Sequence, residues 1–253
     1  LVGLAAVASA LCFGLLPPIR QWADYHRFAD TRPVLGVPNG MDVLSNVGFL
    51  VVGVAGVLAL RRRGRGPEET GPVLIEPWER GALTTLFVIV GLVALGSAYY
   101  HLAPSNERLF WDRLPITMAL GAISALVVAD RIGLALGKRL FLPLVAAGAA
   151  TSLWWRITDD LRPYGLFQFF PMVVLPLLLW LRPGRYDRAG YLLAMGGLYG
   201  AAKLAELFDR PIFALGGLVS GHTLKHLLAT AAVAVLIPYF RRRRPVRRAA
   251  DDM

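Results

Sequence analysis

Cysteine is almost missing from this 253-residue chain, and Cys12 stands alone inside an apolar run. That excludes an internal disulfide and any zinc module built on several thiolates. Charge is sparse as well. Asp, Glu, Lys and Arg make up 17% of the residues while 56% are apolar, which excludes both a soluble globular domain and a disordered chain. No triplet or sustained heptad repeat runs through the sequence, so collagen and coiled coil are excluded too. Acidic residues are the scarcer sign, 17 against 27 Lys and Arg, for a formal charge of +10. In a soluble chain that excess would point to nucleic acid. Its placement, in short clusters between apolar runs, argues against a nucleic-acid partner.

What is present is long apolar sequence. A helix needs about 20 predominantly apolar residues to cross the hydrocarbon core of a bilayer, and eight stretches come close: 1–19, 43–60, 81–100, 114–129, 140–155, 167–181, 189–204 and 218–240. The stretches at 114–129 and 167–181 are short, and Trp111 and Trp180 are expected to complete them at the interfaces. Prolines 115, 143, 171 and 176 fall in or near these spans, where neighbouring helices can re-satisfy the freed carbonyls. Gly196 with Gly200, and Gly217 with Gly221, have the small-xxx-small spacing that predicts close helix contacts.

Basic loops stay in the cytoplasm, and here they alternate. Segments 61–80, 130–139, 182–188 and 241–248 hold five, three, three and six basic residues, whereas 20–42, 101–111, 156–166 and 207–216 hold three, one, two and one. Both termini are therefore predicted to be cytoplasmic. The Arg-rich tail, 241–253, reads as a stop and orientation signal at an anionic lipid surface. The chain is expected to be all-α, a polytopic membrane helical bundle with a seven-helix core (20–240) and one additional N-terminal apolar helix (1–19). The alternative for 1–19 is a signal segment, with Ala8-Ser9-Ala10 as the cleavage motif.

With the bilayer as solvent, ionisable residues in or at the mouths of spans are costly and become the first functional candidates. Three of the four histidines lie at span ends: His101 closes the third span, and His222 and His226 open the last. Charge counting puts all three on the non-cytoplasmic side. The spacing in His222-Thr-Leu-Lys-His226 brings two imidazoles to one helical face. A third ligand from another element would complete the three-protein-ligand site of catalytic zinc. Ser97 precedes His101 by one helical turn, and Asp112 opens the next span at the same level. Each has a plainer reading: Ser97 as a residue that bonds back to its own turn, and Asp112 as a helix cap or a partner of Arg113 or Arg108.

The segments Asp42-Val-Leu-Ser45-Asn46, Gly96-Ser97-Ala-Tyr-Tyr-His101, Trp111-Asp112-Arg-Leu-Pro115 and Gly221-His222-Thr-Leu-Lys-His226 occur in that order. In this respect the chain resembles the alkaline ceramidase branch of the CREST membrane hydrolases, from about residue 24 to 240. The resemblance implies Zn²⁺ held by His101, His222 and His226, with Ser97 and Asp112 about the bound water as catalytic residues. It also implies hydrolysis of the N-acyl bond of a ceramide-like membrane lipid to a fatty acid and a sphingoid base. Zinc chemistry suits this, since the metal can bring the pKa of its water to about 7.

The same family binds Ca²⁺ near the start of its core. There this chain departs from the family's acidic pattern and offers Asp24, Asp30 and Asn39 as candidate calcium ligands, with turn capping as the alternative. Lys203 and Glu206 are expected to neutralise one another, Lys225 to point to another face than the histidines and to meet Glu206 or a lipid phosphate, and Asp159, Asp160 and Asp209 to be solvated. His26 is read as a surface residue. Two further classes stay open: a lipid-sensing receptor or lipid-remodelling protein with the same triad, and a haem-binding electron carrier using facing histidines.

Overall fold

A computed structural model of the chain describes residues 7, 11, 13–61 and 71–246. Most of the expected N-terminal span 1–19, and the last part of the tail, 247–253, lie outside the described residues. Among the described residues the fold is all-α, with two isolated bridges and no strand. Seven long helices build it: α1 (Gly40–Arg61), α2 (Pro77–Leu102), α3 (Asn106–Arg131), α4 (Leu134–Thr158), α5 (Arg162–Leu181), α6 (Gly190–Leu207) and α7 (Gly221–Arg242). All except α6 are long and apolar enough to cross a membrane, and the chain is an integral, multi-pass membrane protein. Consecutive helices touch, and α7 returns against α1, so the bundle closes into a ring. Its least buried member is α5.

Local chemistry sets the helix ends. Pro77 and Pro163 sit in the first turns of α2 and α5, where a missing N–H costs nothing. Ser105 caps α3 by accepting a bond from the Arg108 amide at 3.3 Å, and Ser220 caps α7 by accepting one from Thr223 at 3.0 Å. The Ser105 cap starts α3 six residues before Asp112, at Asn106. The loop after α2 is therefore shorter than expected, and Asp112 lies within the helix, not at its cap.

Close helix approach occurs at other glycines than those predicted. Gly196, Gly200 and Gly217 have open space where a Cβ would stand, and only Gly221 of the four is tight, against the Ala205 carbonyl. The intimate crossings are at Gly53 and Gly56 against α2, Gly121 against Leu144, Gly148 against Thr117, and Gly96 against the carbonyl of Trp111. The last has a covalent cause. Pro115 has no N–H to give the Trp111 carbonyl one turn earlier, and Gly96, lacking a side chain, lets α2 close onto that exposed oxygen. One residue further along each chain are Ser97 and Asp112.

The main apolar core fills the bundle between α1, α2, α3 and α7, around Phe49, Leu86, Phe87, Val90 and Phe240. At the end of the bundle away from the histidines, the tail begins as structure and not as a free basic arm. Arg243 is buried, donates to Glu79 at 2.7 Å and stacks on Tyr186 with its guanidinium carbon 3.6 Å from the ring centre. Arg185 pairs with the same carboxylate at 3.1 Å.

Candidate metal centre

The three histidines come together. Among the described residues, the one group of three His, Cys, Asp or Glu side chains that could hold a metal ion is His101, His222 and His226, with all ligand atoms within 4.8 Å of one another. The rings form a nearly equilateral triangle, with centroid separations of 4.8, 5.0 and 4.9 Å. All three side chains are buried. His101 arrives from the last turn of α2, and the other two come from successive turns of α7.

One edge of the triangle has the spacing of two ligands on a tetrahedral ion. Two nitrogens on one zinc at ~2.0–2.1 Å stand roughly 3.3 Å apart, and Nε2 of His101 and Nε2 of His222 are 3.2 Å apart. The tautomer of His226 follows from its neighbours. The Ser45 hydroxyl gives its hydrogen to the Asp42 carbonyl, 3.1 Å away, so at 2.8 Å it accepts from Nδ1–H of His226. Nε2 of His226 then keeps its lone pair for the centre of the triangle, an outer-shell arrangement typical of metal-binding imidazoles. Haem ligation by two facing histidines needs the imidazoles on opposite faces of a flat macrocycle, and rings in mutual contact leave no such gap.

Several side chains hold the triangle in place. Phe28 covers it, with its ring centroid 4.7 Å from that of His101 and 4.6 Å from that of His222. Asn39 donates to the His101 carbonyl at 2.8 Å. Asp42, fully buried, accepts from Thr223 at 2.6 Å and ties α1 to the first turn of α7. Asp209, expected in solvent, instead accepts from the His222 amide at 2.8 Å and the Ala29 amide at 2.9 Å. The orphan amides of a helix start need such a carboxylate.

Ser97 and Asp112 are both buried, with the Ser97 hydroxyl hydrogen-bonded to the Asp112 carboxylate. They line, with His222 and His226, a cavity of about 890 Å³, near the upper end of the range for small-molecule sites. Its remaining wall is mainly apolar and comes largely from α3, α5, α6 and α7, including Ile116, Met172, Leu175 and Tyr199. The open faces of Gly196 and the sparse packing of α5 have their explanation here, because these elements border space and not another helix.

The other expectations divide. Lys203 and Glu206 are paired as predicted. Lys225 also binds Glu206, at 2.7 Å, and its ammonium stands 3.4 Å from Nε2 of His222. It therefore faces the site, contrary to the reading that turned it away. Asp160 is buried, not solvated, and its hydrogen bonds from Arg162 hold its carboxyl below the usual carboxylate range. His26 is half-buried, bonded to the Tyr100 hydroxyl and to Asn106, each at 2.9 Å, outside the triangle. The candidate calcium residues are separately engaged: Asp24 pairs with Arg27 at 3.1 Å, Asp30 with Arg32 at 2.8 Å, and Asn39 with the His101 carbonyl. Asp42, Ser45 and Asp209 are the supporting residues that sequence reasoning missed. Asp42 and Ser45 stood in a quoted motif, but nothing in the spacing said what they touch.

Comparison of the sequence with models of known protein families gave no match, and comparison with curated proteins gave none either.

Proposed function

We propose that this protein is a zinc-dependent membrane amidase that cleaves the N-acyl bond of a ceramide-like lipid, with the site on the non-cytoplasmic side and both termini in the cytoplasm. The observation that carries the reading is the near-equilateral imidazole triangle at the wall of a large, mainly apolar cavity inside a membrane bundle, with the Asp112 carboxylate and the Ser97 hydroxyl lining the same cavity. The motif resemblance to the alkaline ceramidases gives the reaction class, since a fold alone does not imply a chemistry.

His101, His222 and His226 would hold a zinc ion, which when bound would supply Lewis acidity and lower the pKa of water there to about 7. Asp112 accepts the proton of the attacking water and returns it to the leaving amine. Ser97 donates to the oxygen on which negative charge develops. The apolar wall takes the acyl chain and excludes bulk water.

The test is purified protein in detergent, assayed for metal content and for fatty-acid release from a panel of ceramides. Wild type should carry one zinc and release fatty acid. His222→Ala should lose both properties. Asp112→Asn should keep the zinc and lose roughly 10²–10⁴-fold in kcat. Zinc-loaded protein that binds ceramides but cleaves none would favour the receptor reading.

A further inference from the structure

Of the 27 Lys and Arg residues, 24 fall in the sequence segments between and after the apolar runs whose charges set the predicted orientation. Three remain, Arg113, Lys203 and Lys225, and every one of them lines the cavity. Intramembrane cations are costly enough that each needs a reason. Glu206 accounts for part: Lys203 and Lys225 share its carboxylate.

Arg113 is different. It is 3% exposed and takes part in no ion pair among the described residues, and its Nε and Nη1 are buried without a hydrogen-bond partner. Its central carbon lies over the rings of Trp155, Tyr164 and Tyr25, at 4.1, 4.6 and 5.2 Å from their centres. The Tyr25 side chain also hydrogen-bonds the guanidinium, and the enclosure leaves Nε and Nη1 as the donors without a partner. A planar donor edge of fixed orientation is suited to a delocalised oxyanion. The cavity as a whole is basic, lined by five basic side chains and three acidic ones.

We infer that the cavity binds an acyl lipid carrying an anionic oxygen group, phosphate or carboxylate, and that Arg113 is the residue that receives it. The aromatic enclosure holds the cation, the neighbouring Asp112 carboxylate acts on it without a direct ion pair, and the lipid oxygens supply the acceptors that Nε and Nη1 lack. This deepens the proposed hydrolase, whose substrate would then be an acidic acyl amide, or whose released fatty acid would be held through its carboxylate.

The experiment measures binding and does not depend on turnover. Purified protein in neutral detergent is titrated at low temperature with three probes: N-dodecanoylsphingosine, its 1-phosphate, and dodecanoate. Complexes are counted by native mass spectrometry. Wild type should prefer the phosphate or the carboxylate probe over the neutral lipid by roughly 10- to 100-fold, the scale of a hydrogen bond to a charged group. A preference confined to the phosphate identifies a lipid head, and one confined to dodecanoate identifies the released acid. Arg113→Gln should bring the ratio close to one while neutral-lipid binding persists, and Arg113→Lys should restore part of it. Equal binding of all three probes by wild type overturns the inference without reference to any variant, and so does a preference that survives in folded Arg113→Gln. Failure of the hydrolase reading would look different, with no fatty acid released from any probe while the binding ratio stays intact.

Discussion

Removing one hydroxyl next to the triangle should loosen the metal. Ser45 accepts from Nδ1–H of His226 at 2.8 Å while its own hydrogen is committed to the Asp42 carbonyl at 3.1 Å, so one tautomer of His226 is selected. In Ser45→Ala that N–H keeps only the Asp42 backbone carbonyl as a partner, in a site where His226 is 3% exposed, and an under-satisfied buried donor costs up to ~1–3 kcal/mol. The imidazole can relieve this by moving its proton to Nε2, which abolishes the lone pair aimed at the ion, or by turning away. Loss of such an outer partner weakens metal affinity by about 10- to 100-fold, equivalent to ~1.4–2.8 kcal/mol. Competition against a zinc chelator of known affinity, at neutral pH in detergent, reads this directly. Ser45→Thr, which retains the hydroxyl, should stay close to wild type. Ser45→Ala with unchanged zinc affinity would refute the tautomer argument, and with it the assignment of Nε2 as the ligand atom.

Further outcomes follow from the packing and the charges. Gly96→Ala puts a methyl group into the Trp111 carbonyl, so α2 and α3 must separate by on the order of 1 Å, and a displacement of that size between Ser97 and Asp112 should cost about 10²-fold in kcat/KM; Gly91→Ala, which meets nothing, should leave fatty-acid release unchanged. Arg243→Met should lower stability by roughly 3 kcal/mol, the scale for breaking a buried ion pair, with Arg185 still on Glu79 and zinc content unaltered, as followed by thermal melting in detergent. Asp30 and Asp160 are held below the usual carboxylate range by hydrogen bonds from Arg32 and Arg162. Their stabilisation is therefore complete above an unfolded-state pKa of about 3.9 and is lost as pH falls through the lowered folded values. Melting temperature should drop below about pH 4, and the double Asp→Asn variant should flatten that acid limb.

Six of the spans and the triad could be read from the sequence because each follows from a short-range rule. Apolar length predicts a crossing helix, and i,i+4 spacing puts His222 and His226 on one face. The level of His101 follows from counting spans. What could not be read depends on contacts between distant segments. The carboxylate of Asp209 caps α7 from a neighbouring turn of chain, and Arg243 folds back onto Glu79 across the bundle. Neither has a local pattern. Lys225 was misread by treating three residues of separation as a different face, although a position three on lies only about 60° around the helix and a four-carbon stem spans that easily. The glycine spacing failed for a related reason: small-xxx-small describes one helix surface and is silent on whether a partner or an open cavity faces it. Gly96 matters because Pro115, on another helix, frees the carbonyl it meets.

X-ray absorption at the zinc edge of the purified, zinc-supplemented protein tests the central claim most directly. The account predicts one zinc per chain with a first shell of nitrogen and oxygen at ~2.0–2.1 Å and the outer scattering of three imidazoles, reduced to background occupancy in His222→Ala. A protein that retains no zinc, or a bound ion whose shell contains fewer than three histidines, would contradict it.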